Sequence, residues 1–419
     1  MVFFVQDTAF CQSKREDIYS DFVLYNKRER LNKDLRENII AKTFAQPLDS
    51  NNEHKFESAC MAISQFMIAN EEVEKGFKQM FNQYDLLPYP TKRAFLEAVY
   101  GVYPRDYNQE IHTILAKEAN PKLFAMSALH LFRNDSSIEN SNHIKIRMVE
   151  EFPGYDTIGI LSELEKFLNN HLSSIQNRTP DIVQLFAHQQ THGKKIIYSF
   201  QRWNRDYPGL AIVQNADGRF MRNASGRLMV FQQLARSASD LPYFITNGST
   251  PQGIYSIQGT AVAHNNYIGP TPNLQLLMPH EKNWEKYYHQ PIDSTGDSLQ
   301  LYKQLLPRNW KEYAPMMEAW QAGKIGRTEI IAHGTTIDPE YFKDKPYYPL
   351  TPTMGCLCAK EVWNNTSGRL LISEQFNLVS TYMATPGQKG FLYVINVDAQ
   401  QKPVSREEIE RKVNLFEKL

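Results

Sequence analysis

Cysteine is scarce in this chain: 419 residues hold only Cys11, Cys60, Cys356 and Cys358. If Cys11 is lost with a cleaved leader, three remain. That is an odd number without the spacing of a disulfide framework, so a disulfide-stapled scaffold is excluded. Net charge is missing as well: 46 basic residues balance 46 acidic ones. The balance argues against nucleic-acid binding through a basic face. No apolar run reaches the ~18 residues that a transmembrane helix needs. The glycine-rich phosphate loops GxGxxG and GxxxxGK are absent, and so is any fixed repeat period.

What is present is ample core material, with 42% hydrophobic residues. The length exceeds what one typical core supports, so two domains are expected. The first residues, MVFFVQDTAFCQSKRED, open apolar and reach Ala9-Phe10-Cys11-Gln12 before turning charged. Small residues before a Gln match the end of a secretory signal whose charged start is missing. Residues 1–12 are therefore expected to be a signal-peptide remnant, which predicts a periplasmic or cell-envelope protein. The competing reading is a short N-terminal tail on a cytosolic protein. A lipid anchor at Cys11 is disfavoured by the bulky Phe10 beside it.

Residues 13–178 read as an all-α helical domain. Phe56, Ala59, Ile63, Phe66 and Met67 form one apolar stripe at helical spacing, and Cys60 falls within it as a buried thiol. Pro88, Pro90, Pro104 and Pro121 punctuate the helices. Beyond about residue 178 the character changes. KKIIYSFQR, GLAIVQN, GRLMVFQQLA, LPYFITN, GIYSIQG, GRLLISE and GFLYVINVD read as strands. Asp217-Gly218 marks a hairpin. HEKNWEKYY and the stretch DSLQLYKQLLPRNWKEYAPMMEAWQAG read as inserted helices, and Ser405 with Glu408 forms a capping box on a terminal helix. The fold class is thus α+β and multidomain: a helical domain, then a mainly β domain over 179–419.

Near the end of that second half lies IAHGTTIDPEYFKDKPYYPLTPTMGCLCAKEVW. A cysteine nucleophile needs a base within reach and backbone donors for the developing oxyanion. Cys356 follows Gly355, which lets backbone approach a substrate carbonyl. His333 lies 23 residues upstream. A strand, an excursion and a return strand would bring both to one end of a sheet. By residue type alone, a buried thiol and a structural histidine are the favoured reading over catalysis.

His333-Gly334, followed by Thr353-Met354-Gly355-Cys356-Leu357, resembles the signature of L,D-transpeptidases with a YkuD-type catalytic domain. Thr250-Pro251-Gln252-Gly253-Ile254-Tyr255-Ser256-Ile257 is similar to that family's Thr-Pro-x-Gly-aromatic-x-Ile strand. Met278-Pro279 lies between the two blocks, as in the family. The resemblance covers roughly residues 195–398 and leaves the helical half unassigned. It implies a YkuD-like fold and a cysteine-dependent acyl transfer on peptidoglycan stem peptides. In that scheme Cys356 is the nucleophile, His333 its base and the Gly334 carbonyl the group orienting His333. The Gly355 and Cys356 N–H groups make the oxyanion hole. No cofactor and no metal are implied. Thr353 corresponds to the Ser/Thr of the signature and is expected to hydrogen-bond within the turn.

Two positions depart from the family pattern. Met354 stands where a second His is usual, and Cys358 where Arg or Asn is usual. They leave open an L,D-carboxypeptidase or amidase of the same fold, or a non-catalytic peptidoglycan-binding relative. Cys358 is expected as a small side chain packed under the site, with a redox partner or a metal pair with His333 as alternatives. Tyr341, Tyr347 and Tyr348 lie between base and nucleophile and are expected to wall the substrate groove. Substrate contacts are accordingly expected from Thr353, Met354, Tyr348 and His264.

Overall fold

The computed structural model describes residues 14–172, 178–292 and 297–419. The leader reading of residues 1–12, with Cys11, lies outside them. A helical region comes first and a mainly sheet region second, a mixed α+β architecture. No helix among the described residues is long and apolar enough to cross a membrane.

The helical region begins with α1 (Tyr25–Lys33), which continues through a π-helical stretch, Asp34–Ala41, into the short α2 (Lys42–Phe44). Then come α3 (Glu53–Phe66), α4 (Glu71–Asn82), α5 (Tyr89–Val102), α6 (Asn108–Leu115), α7 (Pro121–Asn134), α8 (Ile138–Glu151) and α9 (Gly159–Leu172). Their boundaries have local causes. The predicted stripe of α3 is buried at Phe56, Ala59, Cys60, Ile63 and Phe66. Met67 closes that helix in the left-handed conformation and is only half-buried. Asn70 caps α4 by accepting from Val73 N–H (3.0 Å), and Asn120 caps α7 just before Pro121, satisfying end donors that the helix itself cannot.

The second region opens with α10 (Val183–His192) and closes with α15 (Arg406–Phe416). Between them lie β1 (Ile196–Gln201), β2 (Gly209–Gln214), β3 (Phe231–Leu234), β4 (Gly253–Ala261), β5 (Asn273–Leu277), β6 (Ile331–His333), β7 (Leu357–Ala359), β8 (Glu361–Trp363), β9 (Leu370–Ser373) and β10 (Gly390–Asn396). Eight of these strands close into a barrel in the order β1-β10-β4-β5-β6-β7-β3-β2, while β8 and β9 pair separately. The β1–β10 and β6–β7 pairs are parallel.

Both faces of β1, β2 and β10 are buried, which is why these strands read as continuous apolar runs rather than as alternation. Tyr198, Phe200 and Tyr393 pack outward with α10, α15 and Trp310. Ile197, Val213, Tyr255, Leu392 and Val394 share a second core with Leu378, Val379 and Tyr382 of α14 (Glu374–Met383). That helix packs against β2, β3, β5 and β7, burying Leu378, Val379 and Tyr382 on the barrel while Asn377 stays exposed.

The inserted helical stretches hold α11 (Trp284–Tyr288), α12 (Ser298–Lys303) and α13 (Glu318–Lys324). The Asp217-Gly218 turn is present, with Gly218 at φ 84° and Gly218 N–H donating to Asn215 O (2.9 Å). LPYFITN is not a strand. Residues 241–247 fold into consecutive turns, and Leu241, Phe244 and Ile245 sink into the core of the helical region. Their apolar character serves a contact between regions rather than a sheet.

Candidate functional site

Strands β6 and β7 carry the candidate pair. The sequence expectation was a return strand, but the two run parallel, with Ala332 opposite Leu357 and His333 opposite Cys358. Cys356 precedes β7 and His333 ends β6, so they sit two residue steps apart, roughly 6–7 Å along the strands. Residues in register on parallel strands point the same way, and alternation puts Cys356 on the same side as Cys358. His333 and Cys356 therefore share one side of the sheet. No hydrogen bond joins them among the described residues; His333 Nδ1 pairs with Gly334 O (2.5 Å), and Cys356 Sγ with Ile331 N–H (3.5 Å) and Glu329 O (3.7 Å).

The His333 contact fixes a tautomer. A carbonyl oxygen only accepts, so Nδ1 carries the hydrogen and Nε2 keeps its lone pair. Burial pulls the imidazole down to about 4, only partly offset by the Gly334 carbonyl, so it is neutral and basic at Nε2 at ordinary pH. Burial also pushes the Cys356 thiol up, opposed by the Ile331 N–H and the nearby Arg327 cation, and reinforced by Glu329. At rest the thiol and the imidazole are both neutral, on one side of the sheet but not in contact. Cys356 itself is half-buried, whereas Cys358 and Cys60 are buried.

The turn before Cys356 is built around Gly355. Its φ of 113° is rarely adopted by a residue with a side chain, and a Cβ there would lie 2.4 Å from Arg327 Nη2 and 2.8 Å from Gly248 O. Thr353 Oγ1 accepts from Gly355 N–H (3.0 Å) and donates to Cys356 O (2.8 Å). The Gly355 N–H is thus committed inside the turn, and of the two expected oxyanion donors only the Cys356 N–H is left free of Thr353. Thr250 Oγ1 donates to Gly355 O (3.0 Å), which ties the Thr-Pro-x-Gly block directly to the turn before Cys356.

Two residues missed in the sequence complete this arrangement. Arg327 forks its guanidinium onto the carbonyls of Tyr243, Gly248, Ser249 and Gly355. It staples the 243–249 turns to Gly355 and brings a positive charge near the thiol. Glu361 underlies the His333-Gly334 turn: it accepts from Thr335 N–H (2.8 Å) and Ser373 Oγ (2.6 Å). A Cβ on Gly334 would sit 2.2 Å from the Glu361 carboxyl carbon, so the glycine after His333 is a packing requirement. Burial raises Glu361 to about 7, with the Ser373, Thr271, Thr335 and Trp363 contacts pulling the other way. Neither residue has a spacing or motif that would have marked it.

The remaining sequence candidates scatter. Cys358 is buried beside Thr351 Oγ1 (3.6 Å). Among the described residues no group of three His, Cys, Asp or Glu side chains is arranged to hold a metal. His264 is exposed after β4, and Met354 is half-buried; among the described residues no hydrogen bond or ion pair joins either to the pair. Tyr347 is fully buried under Arg236 and Tyr341 packs at a tilt against Phe66 (ring centroids 4.8 Å apart), so both belong to the contact with the helical region. Tyr348 is exposed, donates to Glu340 (2.9 Å), and lines a cavity of about 860 Å³ between α1 and the 336–349 stretch. Neither that cavity nor a larger one described below is lined by Cys356 or His333. No protein-family model, curated protein or solved structure matches the chain.

Proposed function

We propose that the chain is a cysteine-dependent acyl transferase of the L,D-transpeptidase type, with a YkuD-like catalytic domain, acting on peptidoglycan stem peptides in the cell envelope. The observation that carries the reading is the fixed tautomer of His333, which leaves Nε2 with its lone pair, on a side chain that shares one side of the β6–β7 pair with the half-buried Cys356 thiol. The motif resemblance at Thr250–Ile257, His333-Gly334 and Thr353–Leu357 supplies the substrate class.

His333 Nε2 takes the thiol proton as Cys356 Sγ attacks the carbonyl carbon of the amide before the terminal D-residue. The Cys356 N–H stabilises the oxyanion. The imidazolium returns the proton to the departing amine, leaving a thioester. An amine of a second stem, giving a cross-link, or water, giving a carboxypeptidase product, attacks the thioester with the same base. The two groups must close a gap on substrate binding, as catalytic hydrogen bonds often do.

A second reading has its own support. The neutral thiol and unjoined histidine also suit a relative that binds muropeptides without turnover. Incubation with disaccharide tetrapeptide followed by intact-protein mass spectrometry separates the two. Acyl transfer predicts an adduct on Cys356 that is absent from Cys356→Ala, together with released D-amino acid. Binding of the muropeptide with neither adduct nor release rejects catalysis.

A further inference from the structure

The larger cavity, about 1810 Å³, lies where α9 and the 178–182 stretch face the barrel. Its lining includes Arg205, a cation of unusual circumstance: the side chain is 9% exposed, Nη2 donates to Thr250 O (3.3 Å), and Nη1 has no partner. No carboxylate lies within ion-pair distance of it among the described residues. The same lining includes Asn396, 4% exposed with an unpartnered Oδ1. Asn396 is otherwise rigid, its N–H on Gln252 Oε1 (2.9 Å) and its carbonyl taking the Thr179 hydroxyl (2.7 Å). Buried polar groups are nearly always satisfied, and a desolvated guanidinium without a counter-charge is costly. Burial pulls Arg205 down to about 10, against the more distant pull of Glu318.

We propose that this cleft is a binding site for the C-terminal carboxylate of a short peptide, the carboxylate on Arg205 Nη1 and a backbone N–H of the peptide on Asn396 Oδ1. The orphaned donor and orphaned acceptor match the two polar functions at a peptide's end. A monoanion fits better than a phosphate dianion, because the cleft offers one unpaired guanidinium N–H and its lining also holds the acidic Glu318, which burial raises to about 7 and which accepts from Gln252 N–H (2.8 Å) and Nε2 (3.2 Å). Trp203, Tyr243 and Met317 give apolar wall for side chains, and the volume accommodates several residues. The site is separate from Cys356 yet connected to it: Thr250 takes Arg205 on its carbonyl and holds Gly355 with its hydroxyl. It does not depend on the acyl-transfer reading.

The test is calorimetric titration of the full chain with a set of N-acetyl dipeptides bearing free carboxylates and with their C-terminal amides. At least one free acid should bind, with its amide at least tenfold weaker, and Arg205→Met should remove the difference. Binding should persist in Cys356→Ala. Equal binding of acid and amide, no binding by any member, or tighter binding of inorganic phosphate overturns the proposal. So does loss of binding in Cys356→Ala, which would move the carboxylate to the nucleophile. The acid–amide comparison uses the unaltered chain, so the outcome stands even if Arg205→Met fails to fold.

Discussion

One carbonyl decides which nitrogen of His333 can act, and one buried charge bears on how readily Cys356 ionises. The Gly334 carbonyl fixes the tautomer. Arg327 lowers a thiol that burial raises. Arg327→Gln should therefore slow iodoacetamide alkylation of Cys356 several-fold at pH 8 and move the alkylation pH profile upward, read by peptide mass spectrometry. An unchanged profile would reduce Arg327 to a structural staple. Glu361 carries a second residue-scale prediction. Its folded pKa, about 7, stands above the ordinary 4.5. The fold thus favours its protonated form, and that stabilisation is present below about pH 4.5 and lost as pH rises to about 7. The size is up to about 3 kcal/mol. His333, depressed to about 4, acts in the opposite sense: its contribution is present above about 6.5 and lost as pH falls. Comparing wild type with Glu361→Gln cancels His333. Urea midpoints at pH 5 and pH 8 should fall with pH more steeply in wild type than in Glu361→Gln, and parallel slopes would refute the assignment. The candidate pair, His333 and Cys356, could be singled out in the sequence because cysteine-dependent acyl transfer requires a thiol and a base. Arg327 and Glu361 were not, because each acts through long-range contacts with backbone that only the fold assembles.

At the scale of elements, local rules and tertiary demand part company in instructive places. Ser405 caps α15 by accepting from Glu408 N–H (3.2 Å). The Glu408 side chain, however, turns away from the cap to bind the fully buried Arg202 (2.7 Å), so only half of the capping box forms. Ser405→Ala should cost about 1 kcal/mol, measured by urea denaturation. A loss near zero would show that docking of Ile409, Val413 and Phe416 on the barrel alone holds the helix. The strongest strands, β1, β2, β4 and β10, were readable as apolar runs. The three-residue strands β6 and β7, which position the candidate pair, were not, because neither is long enough to show a period. LPYFITN misled for the opposite reason: its Phe244 and Ile245 are apolar to meet the helices, not a neighbouring strand.

For the molecule as a whole, two compositional halves do not make two independent cores. Leu234, Leu241, Phe244, Ile245, Ile337, Phe342, Tyr347 and Leu350 come from the sheet region, yet they belong to one cluster with the helical side chains. The stretch between β6 and β7 contributes four of them, so the segment linking His333 to Cys356 is held by the helical region. Ion pairs reinforce the seam: Arg28 reaches Asp338 (3.4 Å) and Arg133 reaches Asp240 (3.7 Å). Each large apolar side chain exposed by separating the regions costs about 1.5–3 kcal/mol, a sum comparable with the whole stability of an ordinary domain. The chain should therefore unfold in urea as one unit, with tryptophan fluorescence and far-ultraviolet dichroism tracing the same transition. Because all of its tryptophans fall beyond residue 200, fluorescence reports the sheet region, while dichroism is dominated by the helices. Two separated midpoints would show that the helical region folds alone and that the 334–352 segment can detach from it. A single coincident transition, together with loss of Cys356 acylation when the seam is weakened by Phe342→Ala, would make the helical region a scaffold for the reaction.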